Sequence, residues 1–147
     1  MTIKLTPNFT LEELTASEVA ARNGWANTPN EQETANLIRL ARFLEKLKVV
    51  LGGKPIVVNS AYRSKRVNDA VGSSDKSQHR LGCAADIRVP GMIPDQVIKA
   101  VIASNLEYDQ VIREFNSWTH ISVPNLIDGV PRKQALIIDK AGTRPYA

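Results

Sequence analysis

Apolar positions in the first third of the chain recur at helical intervals, whereas later ones fall in short blocks. Thr10-Leu11-Glu12-Glu13 has the form of a capping box: the Thr10 hydroxyl takes the Glu13 amide hydrogen and the Glu13 carboxylate reaches back. Thr15-Ala16-Ser17-Glu18 repeats the signal, so a short helix and a restart are expected. Thr28-Pro29 is expected to open a longer helix, with Pro29 in the first turn, where no amide hydrogen is needed. Along it Ala35, Ile38, Ala41, Leu44, Leu47 and Leu51 recur every three or four residues, and Leu37, Leu40 and Phe43 widen the stripe. Gly52-Gly53 ends it.

From Pro55 the period changes. Pro55 to Asn59 and Ala84 to Val89 read as strands, the second stopped by Pro90-Gly91, with a short helix from Ser64 to Val71 between them, closed by Gly72. Pro94 to Ser104 is helical, with Val97, Ile98, Val101 and Ile102 on one side. Gln110 to Phe115 and Trp118 to Val123 flank Asn116-Ser117 as a hairpin, and Ala135 to Asp139 supplies a last strand. The expectation is an α+β fold, with N-terminal helices packed on a mainly antiparallel sheet.

At 147 residues, with 43% hydrophobic and 23% charged residues, the chain is sized for a single domain over 1–147 with an ordinary core. No apolar run nears the roughly 18 residues of a membrane span, so no integral membrane segment is expected. Met1 to Pro7 lacks an apolar h-region, so no secretory signal is expected. The single cysteine, Cys83, excludes a disulfide framework and a multi-cysteine zinc site. A net charge of +4 and a pI near 9.4 suit polyanionic partners, either nucleic acid or an acidic cell envelope. Aromatic residues total 5% and none interleave with a basic segment, so no single-stranded nucleic-acid groove is expected.

The only histidines are His79, in Ser77-Gln78-His79-Arg80-Leu81-Gly82-Cys83-Ala84-Ala85-Asp86, and His120, in Trp118-Thr119-His120-Ile121. Two imidazoles and a carboxylate suffice for a catalytic zinc with one coordination position left open. His79 would lie in a loop, Gly82 would turn the chain, and Asp86 would return on a strand next to that of His120. On spacing alone this triad and two unrelated histidines with a capping aspartate are equally open.

The pattern Ser77-x-His79-x-x-Gly82-x-Ala84-x-Asp86, followed by Trp118-x-His120, resembles the zinc D-Ala-D-Ala carboxypeptidase and L-alanyl-D-glutamate endopeptidase family. That family acts on peptidoglycan stems, includes phage endolysins and shares its fold with the Hedgehog signalling domain. Ser60-Ala61-Tyr62-Arg63-Ser64 resembles its S-G-Y-R-S segment, with Ala61 in place of glycine. Val67-Asn68, Gly72, Asp109-Gln110-Val111-Ile112 and the opening Asn8 to Leu14 fit as well, so the likeness runs from about Asn8 to Val123. It implies a Hedgehog/DD-peptidase-like fold, Zn2+ as cofactor, and His79, Asp86 and His120 as its ligands.

A hydrolase of this kind needs a carboxylate to take a water proton and deliver it to the leaving amine. Better-known members carry it three residues before the last histidine, where this chain has Ser117. Glu114 is the expected replacement. A two-residue Asn116-Ser117 hairpin turns it to the face opposite His120, whereas a three-residue Phe115-Asn116-Ser117 loop puts both on one face. The competing reading is a solvated glutamate. Asp109 is the fallback base, or else a partner that positions a ligating histidine.

The resemblance gives Arg63 a role in gripping substrate or stabilising a developing oxyanion, while Lys65 and Arg66 read as ordinary surface charge. Ser77 either donates to substrate or caps its loop. Cys83 reads as buried filler rather than a nucleophile or fourth ligand, and Trp118 as a wall of the site or core. The function expected is a zinc metallopeptidase of peptidoglycan stem peptides, with L-Ala-D-Glu endopeptidase action favoured over D-Ala-D-Ala carboxypeptidase action. A phage lysin is expected, monomeric, made in the host cytoplasm and reaching the wall after release or within a virion. The alternatives are a catalytically inactive zinc- or wall-binding relative, which the Ser117 departure suggests, and a thiol hydrolase using Cys83.

Overall fold

The computed structural model describes residues 2–146. A two-stranded ribbon, β1 (Lys4–Thr6) and β2 (Phe9–Thr10), leads into α1 (Leu11–Thr15), α2 (Glu18–Asn23) and the long α3 (Glu31–Val50). Then come β3 (Val57–Ser60), α4 (Lys65–Ala70), α5 (Gln78–Leu81), β4 (Ala84–Arg88) and α6 (Pro94–Ala103). The chain closes with β5 (Gln110–Glu114), β6 (Trp118–Ser122), β7 (Gln134–Asp139) and β8 (Gly142–Pro145). Six strands form one sheet in the order β3-β4-β6-β5-β7-β8, and only the β5–β7 pairing is parallel. This is the α+β arrangement read from the sequence, with one parallel join in an otherwise antiparallel sheet.

One face of the sheet carries the core. Ala85 and Ile87 of β4, Val111 of β5 and Ile121 of β6 pack against Leu37, Leu40, Leu44 and Leu47 of α3 and Val97, Ile98 and Val101 of α6. Each fully buried aliphatic side chain of this kind contributes about 1.5–3 kcal/mol. Because strand side chains alternate, the residues between them face away from α3 and α6, and Asp86 and His120 are two of these. No helix among the described residues is long and apolar enough to cross a membrane.

Several local expectations change. The capping box at Thr10 forms as read and a second helix does restart, but Ser17, accepting from the Ala20 amide, caps it instead of Thr15, which ends α1, and α3 begins later than Thr28-Pro29. Asn30 caps it, accepting from the Glu33 amide while the Glu33 carboxylate accepts from the Asn30 amide, so Pro29 lies outside the helix. The buried stripe runs through Leu37, Leu40, Ala41, Leu44 and Leu47; Ala35 is exposed and Ile38 only half-buried. Ile102 likewise lies outside the buried face of α6. The β5–β6 connection is the three-residue loop: Glu114 pairs with Trp118, and Phe115 and Asn116 turn the chain with φ of 52° and 54°. β8, unforeseen because it holds almost no apolar residue, is fastened by Arg144 donating to Asp139 at 2.8 and 2.9 Å. That pairing holds the Asp139 carboxyl down at about 2.

Gly82 joins the helical and sheet halves. It ends α5 with φ +80°, and a Cβ there would come within 2.8 Å of the Glu33 carbonyl oxygen and 3.1 Å of Leu37 Cγ. Gly72 has a similar φ of +75° but open space around it. Gly82→Ala is therefore expected to lower stability by about 2–4 kcal/mol, left-handed strain plus overpacking, and Gly72→Ala by about 1–2 kcal/mol, strain alone. Urea unfolding followed by circular dichroism measures both, and equal losses would show that contact with α3 is not what Gly82 serves.

Candidate metal centre

Adjacent strands bring the first two residues together. Asp86 and His120 are direct cross-strand partners on β4 and β6, and His120 Nδ1 lies 3.0 Å from Asp86 Oδ1. His79 comes from α5 rather than from the loop expected for it. Ser77 caps that helix, accepting from the His79 amide at 3.3 Å, and Gly82 ends it. The segment leaving β3 clamps the histidine from both sides: Arg63 N–H donates to the His79 carbonyl at 3.0 Å, and His79 Nδ1 lies 2.7 Å from the Ala61 carbonyl. A carbonyl can only accept, so Nδ1 carries the hydrogen and Nε2 keeps its lone pair, 3.4 Å from Asp86 Oδ1.

The three ligand atoms lie within 4.8 Å of one another, and no other cluster of this kind occurs among the described residues. Neighbouring ligands about 2.0–2.1 Å from a tetrahedral zinc stand about 3.4 Å apart, close to the two histidine–aspartate separations. The protonation states agree. Burial holds His79 below the ordinary imidazole range, which favours the neutral, ligating form. Burial alone would raise Asp86, but the hydrogen bond from His120 holds it well below the carboxylate range, so it stays an anion. Two imidazoles and one carboxylate, all buried, fit zinc.

Two further groups reach the triad. Arg63 donates to the second oxygen, Asp86 Oδ2, at 3.3 Å through Nη2 and to Ser60 Oγ at 3.3 Å through Nε. Glu114 Oε1 lies 3.8 Å from His120 Nδ1, a placement that follows from the three-residue hairpin loop. Burial, then the nearby Asp86 charge, raises the Glu114 carboxyl above its ordinary range. Phe115, half-exposed, lies against Trp118 with ring centroids 6.2 Å apart and so borders the Glu114 side.

Asp109 is occupied elsewhere. Arg132 grips it with its amide and guanidinium, Gln78 Nε2 donates to Oδ2 at 3.1 Å, and neither histidine touches it. Gln78 also donates to the Val123 carbonyl and Asn125 Oδ1, so Asp109 anchors α5 one residue before His79. Sequence reasoning missed Gln78 and Arg132, and missed Asn27, which donates to the Thr15 and Tyr62 carbonyls and accepts from the Ser64 amide, fixing both sides of Arg63. No spacing signal marks such links, because each joins distant segments through a side-chain amide or guanidinium. Cys83 is fully buried on the α3 side, with its thiol pushed up by burial and 3.6 Å from Arg39 NH2, which suits filler.

Comparison with known proteins bears on the family. The zinc D-Ala-D-Ala carboxypeptidase of Streptomyces albus G is 33% identical over 82 residues, 54% of this chain and 31% of that protein, so the likeness spans under a third of the relative. The profile of the family described as Peptidase M15 matches residues 7–122, a stretch that contains His79, Asp86, Glu114 and His120. The chain belongs to the peptidase M15 family.

Proposed function

We propose that this chain is a zinc-dependent peptidase that hydrolyses peptidoglycan stem peptides, with His79, Asp86 and His120 as the metal ligands. The observation that carries the reading is the convergence of these three buried side chains with a fourth carboxylate, Glu114, 3.8 Å from His120. Zinc, when bound, polarises a scissile carbonyl and brings the pKa of a water down to about 7. Glu114 takes the proton of the attacking water and delivers it to the leaving amine, the part that Ser117 cannot play. Its raised pKa suits that shuttle, because the group must hold a proton as well as release one.

Arg63 keeps Asp86 charged and oriented through Oδ2, and its guanidinium is the donor for a substrate carboxylate or a developing oxyanion. Ser77 caps α5 through its oxygen, which leaves its hydrogen to donate to substrate. The L-Ala-D-Glu bond is the favoured target and the D-Ala-D-Ala bond the next. The favoured setting is a phage lysin, and that setting is what favours the endopeptidase cut, because a lysin must open crosslinked wall and removal of a terminal alanine does not. In that setting the chain acts as a monomer on the wall, after release from the host cytoplasm or within a virion.

Metal analysis tests the ligand set. The protein is expected to hold one zinc equivalent after dialysis, His120→Ala and His79→Ala to lose it, and Cys83→Ser to keep it; loss in the cysteine variant would move the site. Glu114→Gln tests the reaction itself. It is expected to keep zinc but lose roughly 100-fold or more of its turnover, scored by mass spectrometry of purified peptidoglycan. A new amino-terminal D-Glu that disappears with chelator marks the endopeptidase, and loss of one alanine from pentapeptide stems marks the carboxypeptidase. Zinc-loaded wild type that produces no new ends would favour a wall-binding relative without turnover.

A further inference from the structure

A groove of about 450 Å³ lies between α2, the end of β3 and α4. Ser60 and Arg63 are part of its lining. Ser60 is the cross-strand partner of Asp86, and Arg63 touches that carboxylate at 3.3 Å, so two lining residues adjoin a proposed ligand. Val19, Val67 and Val71 give it an apolar wall. On the rim stand Glu18 and Arg22, one charge of each sign, at the two ends of α2.

Neither rim charge forms an ion pair with another side chain among the described residues. Elsewhere in this chain, exposed charges at comparable spacing are matched, Lys65 with Asp69 and Lys99 with Asp95. Both signs suit the dipole of α2, Glu18 in its first turn and Arg22 in its last, but that is a weak effect on an exposed helix and does not require them to border a groove. An apolar wall with a carboxylate and a guanidinium at its rim is complementary to an aliphatic side chain that ends in both an ammonium and a carboxylate.

We propose that this groove is a substrate subsite for the diamino acid of a stem peptide, its carbon chain against Val19, Val67 and Val71, its ammonium on Glu18 and its carboxylate on Arg22. The proposal rests on the peptidoglycan reading above and names the part of the substrate that this side of the site recognises. Arg63 links the two regions, because it lines the groove and its guanidinium holds Asp86.

The test measures binding of defined stem peptides to the zinc-loaded Glu114→Gln protein by calorimetry, alongside cleavage by the wild type. Three peptides are used, with diaminopimelate, lysine or norleucine at the third position. Glu18→Gln is expected to weaken the lysine and diaminopimelate peptides about three- to ten-fold, as for a partly exposed ion pair, and to leave norleucine unchanged. Arg22→Gln is expected to weaken only diaminopimelate, which alone carries the extra carboxylate. Circular dichroism confirms that α2 remains folded in each variant. If both variants bind all three peptides as the parent does, the subsite is overturned, even where the wild type cleaves them. If the wild type cleaves none and the parent binds none, the peptidoglycan reading and the subsite fall together.

Discussion

A carboxylate buried in the middle of a sheet costs several kcal/mol unless charge or hydrogen bonds compensate it, and Asp86 is such a carboxylate, 7% exposed. Two side chains donate to it, His120 across the strand pair and Arg63 from the turn after β3, and His79 of α5 brings its free Nε2 to 3.4 Å. Each comes from a different segment, so four parts of the chain meet at Asp86. A divalent cation between the two imidazoles supplies the same compensation more strongly, which makes the need to neutralise Asp86 and the need to bind metal a single requirement.

The surrounding structure sets the directions of these side chains. The β4–β6 register puts Asp86 opposite His120 on the face away from α3 and α6. The Ala61 carbonyl fixes which nitrogen of His79 is free, and the Asp109–Gln78–Arg132 cluster holds the other side of α5. Gly82 lets the chain pass from α5 to β4 in contact with α3. Glu114 depends on a subtler constraint. Only the loop with Phe115 and Asn116 at positive φ gives it the same face as His120. Asparagine adopts that conformation readily and phenylalanine does not, so the hairpin accepts strain beside the residue on which proton transfer is proposed to depend.

Much of this was legible in the sequence. The spacing from His79 through Gly82 to Asp86 carries a turn and a returning strand, and Trp118-x-His120 falls in a β-branched run, but spacing alone left the triad open and only the family resemblance selected it. Alternation left the Glu114 face undecided between two hairpin registers, because Asn116-Ser117 suits either; the register emerges only when Glu114 pairs with Trp118. The start of α3 was misread because Thr28-Pro29 imitates a helix opening, while the reciprocal Asn30–Glu33 contacts satisfy more amide hydrogens. β8 left no hydrophobic trace, since it is an exposed edge strand held by its backbone pairing with β7 and one ion pair. Asn27, Gln78 and Arg132 left none either. Their contacts span 12 to 47 residues, and polar types at such distances have no periodic signature.

X-ray absorption at the zinc edge of the loaded protein tests the centre most directly. Two imidazole nitrogens and carboxylate or water oxygens, all at about 2.0–2.1 Å with no sulfur scatterer, is the predicted first shell. A shell at about 2.3 Å would place the Cys83 thiolate on the metal and would contradict an open centre built from His79, Asp86 and His120.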